Sequence, residues 1–586
     1  MSTDDLTAYV RQQTRPPQSS PGRATLGFLA ANIHIGAGRT VWPGIVDAAE
    51  KRGLNLICFP GGGLHVSEGF EAQRNVIYDL VDATWLAGLV SWSSTISVKL
   101  SPAEVVDFHQ RFRPLPMVSL AQIIEGVPTL SIDSYHGMRA AIIHLIEAHG
   151  YRRLAFIRGP ASHFYAQERY RAYADVLHEY GIPFVPELVT HPLNWEAGVE
   201  AVQFLLDEMH LRPGVDFQAV VAVSDLLALG AMKALQARGI QIPRDMAIIG
   251  FNDSIEGRSV TPPLTSVTMP FYAQGARAIE ELAAQLAGEE VPAQVVLQSR
   301  LVVRQSCGCP SEAVMQAAAG SVQPSGVDLD LVCPALRAAF LAGLAAIENS
   351  GEILIQPAGK LFDAFQIDRV GAEPRGRFLS ELENVLEEAA RSDRDVAVWQ
   401  DVLSTMRRRL LPYLTEAERC QAEDLFGQAR VVISEAAQRM QAYREWLAER
   451  QAVMLREIGQ ALIMTFNVNK LTDVLAERLP GLGIRSGYLA LYENPALSLE
   501  QARLVLAYTE RGRVTLESGG RRFASHQLVP ADLLPQDRQY SLLVEPLYFR
   551  EEQIGFVVFE IGPRDGALYE VLRGHISSAL KGALLF

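Results

Sequence analysis

The 586-residue sequence is poor in the residues that build disulfides, and it lacks long apolar runs. Only five cysteines are present, too few for a disulfide framework, which favours a reducing cytoplasm. No run approaches the roughly 18 apolar residues of a spanning helix. The polar, proline-rich N-terminus has no apolar core of a secretory signal. We therefore expect a cytoplasmic protein that does not contact a membrane.

Catalytic signatures are also missing. The sequence has no H-E-x-x-H, G-x-S-x-G or Walker A pattern, and the glycine-rich "FPGGGLHV" has no lysine placed to reach a phosphate. We therefore expect no catalytic residues and no cofactor in this chain. The formal net charge of −14 argues against broad attraction to nucleic acid, so we expect no nucleic acid binding by this chain alone.

Two groups of possible metal ligands occur, and neither predicts a metal site by its spacing. Cys307 and Cys309 in "VVRQSCGCP" lie one residue apart, but no histidine is near them in sequence, and a closed zinc site needs four ligands. His136, His144 and His149 have helical spacing without carboxylates at matching positions. We therefore predict that the two cysteines mark a domain boundary and that the chain has no metal site.

Residues 23–310 repeat a short apolar run, a loop and an amphipathic helix. Runs such as "LNLICFP", "AVVAVSD" and "MAIIGFND" lack alternation, which is typical of strands covered on both faces. The helices between them supply right-handed crossovers. The pattern predicts a doubly wound parallel α/β architecture in two lobes, because the segment is too long for one such sheet.

The polar residues that follow these runs are the candidate ligand-binding residues, since ligands bind beyond the carboxyl ends of parallel strands. An aromatic face beside several hydrogen-bonding groups suits a sugar or a nucleobase. Each residue taken singly also fits a helix cap or a turn. The candidates are Asn32, His34, Asp133, Arg169, Trp195, Ser224, Asp225 and Asn252.

Two segments carry a resemblance to a known family. "LSIDSYHGMRAAIIHLIEAHGYRRLAFIRGP" and "AVVAVSDLLALGAMKALQARGIQIPRDMAIIGFNDSIEGRSVTPPLTSV" resemble the ligand-binding part of LacI/GalR-family regulators, which shares the fold of periplasmic sugar-binding proteins. The resemblance implies a sugar-like ligand. It implies that Arg169 contacts ligand oxygens and that Trp195 stacks on the ligand. It also implies that Ser224, Asp225 and Asn252 line the cleft.

Two departures from the family pattern matter. Members more often carry Asn-Asp at Ser224–Asp225 and Asp at Asn252, so ligand identity does not carry over from a relative. Only the polar residues 1–22 precede the first predicted strand, where family repressors have a helix-turn-helix. We therefore expect a sensor without that element, reporting to another part of the same polypeptide or complex.

Beyond the predicted sensor, the pattern becomes helical. Residues 311–326 are small and polar and predict a linker, and residues 327–466 predict a helical bundle that runs into one long helix. A seven-residue seam, as in a coiled coil, runs along that helix through Ile433, Met440, Leu447 and Met454. The companion seam is broken. We expect either a homodimer helix or a helix packed on its own bundle.

Residues 467–586 predict a helix, antiparallel strands with a hairpin in "SLLVEPLYFREEQIGFVVFEIG", and a terminal helix. This order resembles a GAF domain, which implies a dimerising and relaying role. The final "KGALLF" lies inside an apolar helical run. We expect that the chain either continues into an output domain or packs on a partner there.

These observations predict a cytoplasmic sensor in signal transduction. A small polar ligand, a sugar or a sugar derivative, closes the two-lobed cleft, and the helical and GAF-like regions relay the closure to an output outside this chain. The alternative is a transcription regulator that binds DNA through an element unlike that of LacI. An enzyme is a third reading, which the missing catalytic groups disfavour.

Overall fold

The computed structural model describes residues 23–65, 69–161, 163–318, 327, 329–344, 351–370, 376–392, 394–494, 500–517 and 519–585. The predicted N-terminal segment 1–22 and the second half of the predicted linker lie outside these residues. Within these ranges, no helix has both the length and the apolar character that a membrane crossing requires.

The first half of the chain forms two mainly parallel sheets, which confirms the predicted α/β class. Its strands are β1 (Thr25–Ala30), β2 (Asn55–Pro60), β3 (Gly88–Ser91), β4 (Met117–Leu120), β5 (Thr129–Asp133), β6 (Leu154–Ile157), β7 (Ala219–Ala222), β8 (Ala247–Asn252), β9 (Thr265–Thr268), β10 (Gln294–Gln298) and β11 (Arg300–Val302). Its helices are α1 (Gly38–Lys51), α2 (Val76–Asp79), α3 (Ser93–Ile96), α4 (Pro102–Gln110), α5 (Ser134–His149), α6 (Phe164–Glu179), α7 (Gly198–Gln203), α8 (Asp225–Ala237), α9 (Ile255–Ser259) and α10 (Phe271–Leu286).

The two sheets define two lobes. The N-lobe sheet has the order β10-β5-β4-β3-β1-β2, and the C-lobe sheet has the order β11-β9-β8-β7-β6, in which only β11 is antiparallel. The chain crosses between the lobes three times: after β5, between β9 and α10, and between β10 and β11. Several strands, including β1, β2 and β7, are buried along their whole length, as expected for sheets covered on both faces.

A helical region follows the C-lobe. Its helices are α11 (Glu312–Ala317), α12 (Leu329–Leu344), α13 (Gly351–Val370), α14 (Arg377–Arg391), α15 (Val398–Leu410) and α16 (Glu416–Ile463). The first part of the predicted linker is helix α11, and Nη1 of Arg407 donates to the carbonyl oxygen of Ala317 at 3.0 Å. That part is therefore held on the bundle, because its last turn supplies a hydrogen-bond acceptor to α15.

The predicted long helix is α16, which has 48 residues and begins at a capping box of Thr415 and Glu418. The residues at both ends of the predicted seam pack against other parts of the same chain. Ile433 is buried in the bundle core, and Met454 packs on a core that includes the C-terminal domain. The two middle seam residues, Met440 and Leu447, are half-buried.

The C-terminal region consists of α17 (Val468–Arg478), β12 (Gly487–Tyr492), β13 (Gln501–Thr509), β14 (Gly512–Arg513), β15 (Arg521–Ala524), β16 (Ser541–Phe549), β17 (Glu552–Glu560) and α18 (Gly566–Leu585). Strands β16 and β17 form the predicted antiparallel hairpin, and α18 is the predicted terminal helix. The described elements therefore follow the order that the sequence predicts.

The C-terminal region is joined to the N-lobe through a shared sheet, a connection that the sequence does not predict. Strand β16 pairs in parallel with β2, placing Leu542 opposite Ile57, so a single twelve-stranded sheet runs through both regions. The backbone N–H of Leu56 donates to the carbonyl oxygen of Tyr540 at 3.1 Å. An uncovered β2 would leave a row of unpaired backbone groups at the sheet edge, and β16 satisfies them.

Candidate ligand-binding cleft

Arg169 is the central charged group at the carboxyl ends of β7 and β8. Its Nε donates to Oγ of Ser134 at 2.6 Å, and its Nη1 donates to the carbonyl oxygen of Val223 at 2.7 Å. The guanidinium lies 3.7 Å from the ring centroid of Phe251. Only 3% of Arg169 is exposed, yet no carboxylate of the described residues lies within 4 Å of it. Burial lowers the pKa of Arg169 to about 9, so the group stays charged at neutral pH.

Trp195 supplies an aromatic surface on the same lobe. Its ring packs edge-on against His163, with 4.9 Å between the ring centroids, and it remains half-buried. His163 caps helix α6 by accepting from the backbone N–H of Ala166. Burial lowers the pKa of His163 to about 4, with a further contribution from the charge of Arg169. His163 is therefore a neutral hydrogen-bonding group beside the indole.

Asn252 is the last residue of β8 in the C-lobe sheet, and Asp133 is the last residue of β5 in the N-lobe sheet. Asn252 has φ of +111°, a conformation that side chains rarely adopt and that is found at binding sites more often than elsewhere. Asp133 caps helix α5, since its carboxylate accepts from the backbone N–H of His136 at 2.9 Å and from the His136 ring at 2.7 Å. Asp133 therefore has a structural role as a helix cap, and it lies where the chain crosses from the N-lobe to the C-lobe.

Ser224 and Asp225 are placed inside the C-lobe. Ser224 is the N-cap of α8, and its Oγ accepts from the backbone N–H of Leu227. One oxygen of Asp225 accepts from Oγ of Ser266 and the other from the backbone N–H of Ser254, both at 2.6 Å. Asp225 is 1% exposed, so both of its oxygens are engaged within the lobe. Its carboxylate joins α8 to β9 and to the turn after β8.

Asn32 and His34 follow β1 on the N-lobe. Within the described chain, no donor reaches Oδ1 of Asn32 although that oxygen is buried. The backbone of Ile33 and His34 lies against Gly566 of the terminal helix, where an added Cβ would come 2.4 Å from the carbonyl oxygen of Ile33. Gly566 therefore allows a close approach between the C-terminal domain and this loop.

Tyr165 bridges the lobes and is missing from the predicted set. Its hydroxyl donates to the carbonyl oxygen of Ala121, in the N-lobe loop after β4, at 3.3 Å. Burial raises the pKa of Tyr165 to about 12, so the hydroxyl is neutral. Because Tyr165 precedes Arg169 by four residues on α6, one helical turn, helical periodicity from Arg169 points to it.

A buried ion network lies where the N-lobe meets the C-terminal domain. Nη1 of Arg74 is 2.6 Å from Oε2 of Glu570, and its Nη2 is 3.4 Å from Oε2 of Glu545. The Nε of Arg74 donates to the carbonyl oxygen of Gly61, in the loop after β2. Burial raises the pKa of Glu545 to about 7, although the charge of Arg74 opposes that shift. The network therefore links a loop at the ligand end of the N-lobe to β16 and α18.

The candidate residues comprise one buried cation, an indole face, neutral hydrogen-bonding groups and a buried amide oxygen. Such a set recognises a ring with several hydroxyls or one acidic substituent. The fold and this cleft define a two-lobed ligand-binding protein. A family model described as "Periplasmic binding protein-like domain" matches residues 143–307.

Two relatives and one solved structure are similar to this chain. The HTH-type transcriptional regulator CelR of Thermobifida fusca is 36% identical over 184 residues, 31% of this chain and 52% of the relative. Catabolite control protein A of Priestia megaterium is 32% identical over 273 residues, 45% of this chain and 75% of the relative. The solved transcription regulator CcpA of Lactococcus lactis is 24% identical with a TM-score of 0.41, over 48% of this chain and 99% of that chain.

The chain belongs to the LacI family, whose ligand-binding domain forms its first half. It spans about half the length of CelR, 52%.

Proposed function

We propose that the protein is a ligand-sensing regulator that binds a sugar or a sugar derivative between the two lobes and passes the binding state to its C-terminal regions. The observation that carries the proposal is the buried guanidinium of Arg169, which has no carboxylate partner among the described residues. Asp225 acts on Arg169 only through space, and a buried cation without a directly paired carboxylate is costly unless a ligand oxygen completes its hydrogen bonds. Trp195 and Asn252 supply the face and the amide for the rest of a polar ring.

The family supports a regulatory role. CelR is a transcriptional regulator by name. The proposal gives residues 467–586 a relaying role like that of a GAF domain. The order of their helices and strands supports it.

The two lobes have different connections to the rest of the chain, which gives the relay a physical basis. The N-lobe is joined to the C-terminal domain by the β2–β16 pair and by Arg74. The C-lobe leads through β11 into α11 and the helical bundle. Because α16 contacts both the bundle and the C-terminal domain, closure of the lobes would shift one against the other.

A dimer is part of the proposal and rests on the exposed middle of α16. Tyr443 and Trp446 are 58% and 50% exposed, and their rings stack with 5.8 Å between centroids. With the half-buried Met440 and Leu447 they form an apolar strip along the helix. Such a strip is typical of a helix that pairs with a second helix.

A thermal-shift screen of the full chain tests the ligand class. The panel contains D-glucose, D-galactose, D-ribose, D-gluconate, D-glucuronate, cellobiose and adenosine. A sugar present at a hundredfold excess over its Kd stabilises the folded state by about 2.7 kcal/mol. We expect at least one sugar or sugar acid to raise the melting temperature, and a panel in which only adenosine does so contradicts the sugar class.

Variants then test the cleft. We expect Arg169→Ala combined with Trp195→Ala to lose the shift. The matched control is Arg171→Ala, because Arg171 is exposed on the same helix and pairs with Glu168 at 2.8 Å. A double variant that keeps the shift would show that the ligand binds elsewhere. Calorimetric titration of the same sugar separates lost binding from lost folding.

A further inference from the structure

Four side chains that the sequence analysis set aside as two unrelated groups meet at one place. The ligand atoms of His144, His149, Cys307 and Cys309 all lie within 4.8 Å of one another. The cysteines come from the end of the sensor region and the histidines from the last turns of α5. The sequence separates the two pairs by about 160 positions, and the fold of the C-lobe brings them together.

The distances are those of a tetrahedral metal site. Sγ of Cys307 lies 3.5 Å from Nε2 of His144. Sγ of Cys309 lies 3.7 Å from the same nitrogen and 3.3 Å from Nε2 of His149. Metal–sulfur bonds of about 2.3 Å and metal–nitrogen bonds of about 2.0 Å at a tetrahedral angle separate sulfur and nitrogen by about 3.5 Å. All three contacts match that separation.

A set of S–H···N hydrogen bonds accounts for this arrangement less well. Nε2 of His144 lies near both sulfurs, and Sγ of Cys309 lies near both imidazoles. A thiol carries one proton and a neutral imidazole nitrogen accepts one, so only some of these contacts can be hydrogen bonds at any moment. One central cation would bind the two sulfurs and the two imidazole nitrogens at the same time.

The backbone is shaped for this approach. Cys307 ends a 3-10 turn over Gln305–Cys307, and Gly308 has φ of +105°. The glycine reverses the chain between the two cysteines. An added Cβ at Gly308 would lie 3.3 Å from Cε1 of His149, so the turn packs directly on that imidazole. On the other side, Tyr151 stacks on His149 with 5.2 Å between ring centroids.

We infer that His144, His149, Cys307 and Cys309 bind a divalent metal ion of the zinc class. Two thiolates and two imidazoles are a ligand set that favours Zn²⁺, and four protein ligands leave no open position for catalysis. The role is structural. The ion would fasten the exit of the C-lobe to the end of α5, immediately before the chain enters α11. This inference goes beyond the proposed function, since the site is independent of the ligand cleft.

Metal analysis of the full chain tests the inference. The chain is purified without chelator, reconstituted with Zn²⁺ alone and passed through a desalting column. We expect about one zinc ion per chain. Replacement with Co²⁺ alone should give the intense d–d bands of a tetrahedral cobalt site and a thiolate-to-cobalt charge-transfer band. The cobalt spectrum uses the wild-type chain, so it does not depend on the folding of any variant.

Variants locate the ion. The double substitution Cys307→Ser with Cys309→Ser, and separately His149→Gln, should reduce bound zinc at least about tenfold and remove the charge-transfer band from the cysteine variant. Cys420→Ser and His178→Gln are the matched controls, because both residues are exposed on helices away from the cluster. These controls should bind zinc as the wild type does.

Three results would overturn the inference. One is less than about a tenth of an ion per reconstituted wild-type chain. Another is an octahedral cobalt spectrum without thiolate charge transfer. The third is zinc retained in full by the cysteine variant. If mass spectrometry finds a Cys307–Cys309 disulfide in reducing buffer, that finding is equivalent to the first result, because a disulfide removes both thiolate ligands. None of these results bears on sugar binding in the cleft.

Discussion

The two lobes of the sensor differ in what lies at the edges of their sheets. The N-lobe sheet continues past β2 into β16 and the rest of the C-terminal domain. The C-lobe sheet takes no strand from outside residues 154–302 in the described chain. One lobe is therefore built into the downstream protein, whereas the other connects to it through the chain that leaves β11.

This difference indicates how closure of a two-lobed sensor can reach the C-terminal region through a shared sheet as well as through α16. Around the β2–β16 pair, Arg564 pairs with Asp47 and Glu50 on α1 at 3.2 and 2.6 Å. Trp42 of α1 packs edge-on against Tyr569 of α18, with 6.0 Å between centroids. The N-lobe and the C-terminal domain share these contacts as well as the sheet, so we expect them to move as one body.

The largest effect is expected from Arg74→Ala. The substitution removes the cation that pairs with Glu570 and Glu545, together with the donor to the carbonyl oxygen of Gly61, which costs about 3–5 kcal/mol. Native-state hydrogen exchange should show that loss in β2 and β16, while β7 and β8 of the C-lobe keep their protection. Arg511→Ala is the control, because its pair with Asp537 is exposed and contributes at most about 1 kcal/mol. Equal losses in both lobes would contradict the comparison.

Gly566→Ala tests the contact between the terminal helix and the loop after β1. The added methyl group meets the carbonyl oxygen of Ile33, and relieving that clash costs about 1–3 kcal/mol. We expect faster hydrogen exchange in residues 31–37. Gly574→Ala on the same helix is the control, since an added Cβ there meets no atom within 4 Å and should stabilise the helix by up to about 1 kcal/mol. The same exchange rates in both variants would argue against this contact.

Leu447→Lys tests the bundle side of the comparison. Placing a charge in the apolar strip of α16 should weaken dimerisation about tenfold, or ~1.4 kcal/mol, without changing either lobe. Light scattering after size exclusion measures the dimer fraction. Glu449→Lys adds a lysine to the opposite side of the helix and should leave that fraction unchanged. A wild-type protein that is monomeric at every concentration would contradict the proposed dimer.

The smallest effect is a pH dependence confined to the joint between the N-lobe and the C-terminal domain. Because burial raises the folded-state pKa of Glu545 to about 7, its contribution to stability is full below its unfolded pKa and is lost as the pH rises through 7. Glu545→Gln removes that loss, so between about pH 6 and pH 7 the variant should gain about 1 kcal/mol relative to wild type. A difference that is constant with pH would contradict this assignment.

The sequence predicts the architecture well wherever pattern and local order decide it. The apolar runs of β2, β7 and β8, the β16–β17 hairpin and the helix α16 all lie where periodicity places them. The pairing of β2 with β16 could not be predicted in this way. The runs "NLICFP" and "SLLVEP" indicate strands, but they do not indicate which element covers the edge of each strand. Pairing between segments almost 500 positions apart leaves no local signal.

The cleft shows the same division. Asn252 ends β8, as its position after an apolar run predicts, whereas Arg169 lies on α6 and Trp195 lies in the loop before α7. Asp225 follows a strand equally well, but its carboxylate points into the lobe and is used there. A cap and a ligand contact demand the same residue types at the same position, so the sequence alone does not separate them.

Hydrogen exchange of the full chain, with and without the sugar that raises its melting temperature, tests the central claim most directly. Ligand binding in the cleft should slow exchange in residues 31–37 and in the first turns of α6. It should also change exchange in β16 and the first turns of α18, which contain no cleft residue. Protection confined to the two lobes, with β16 and α18 unchanged, would contradict the account.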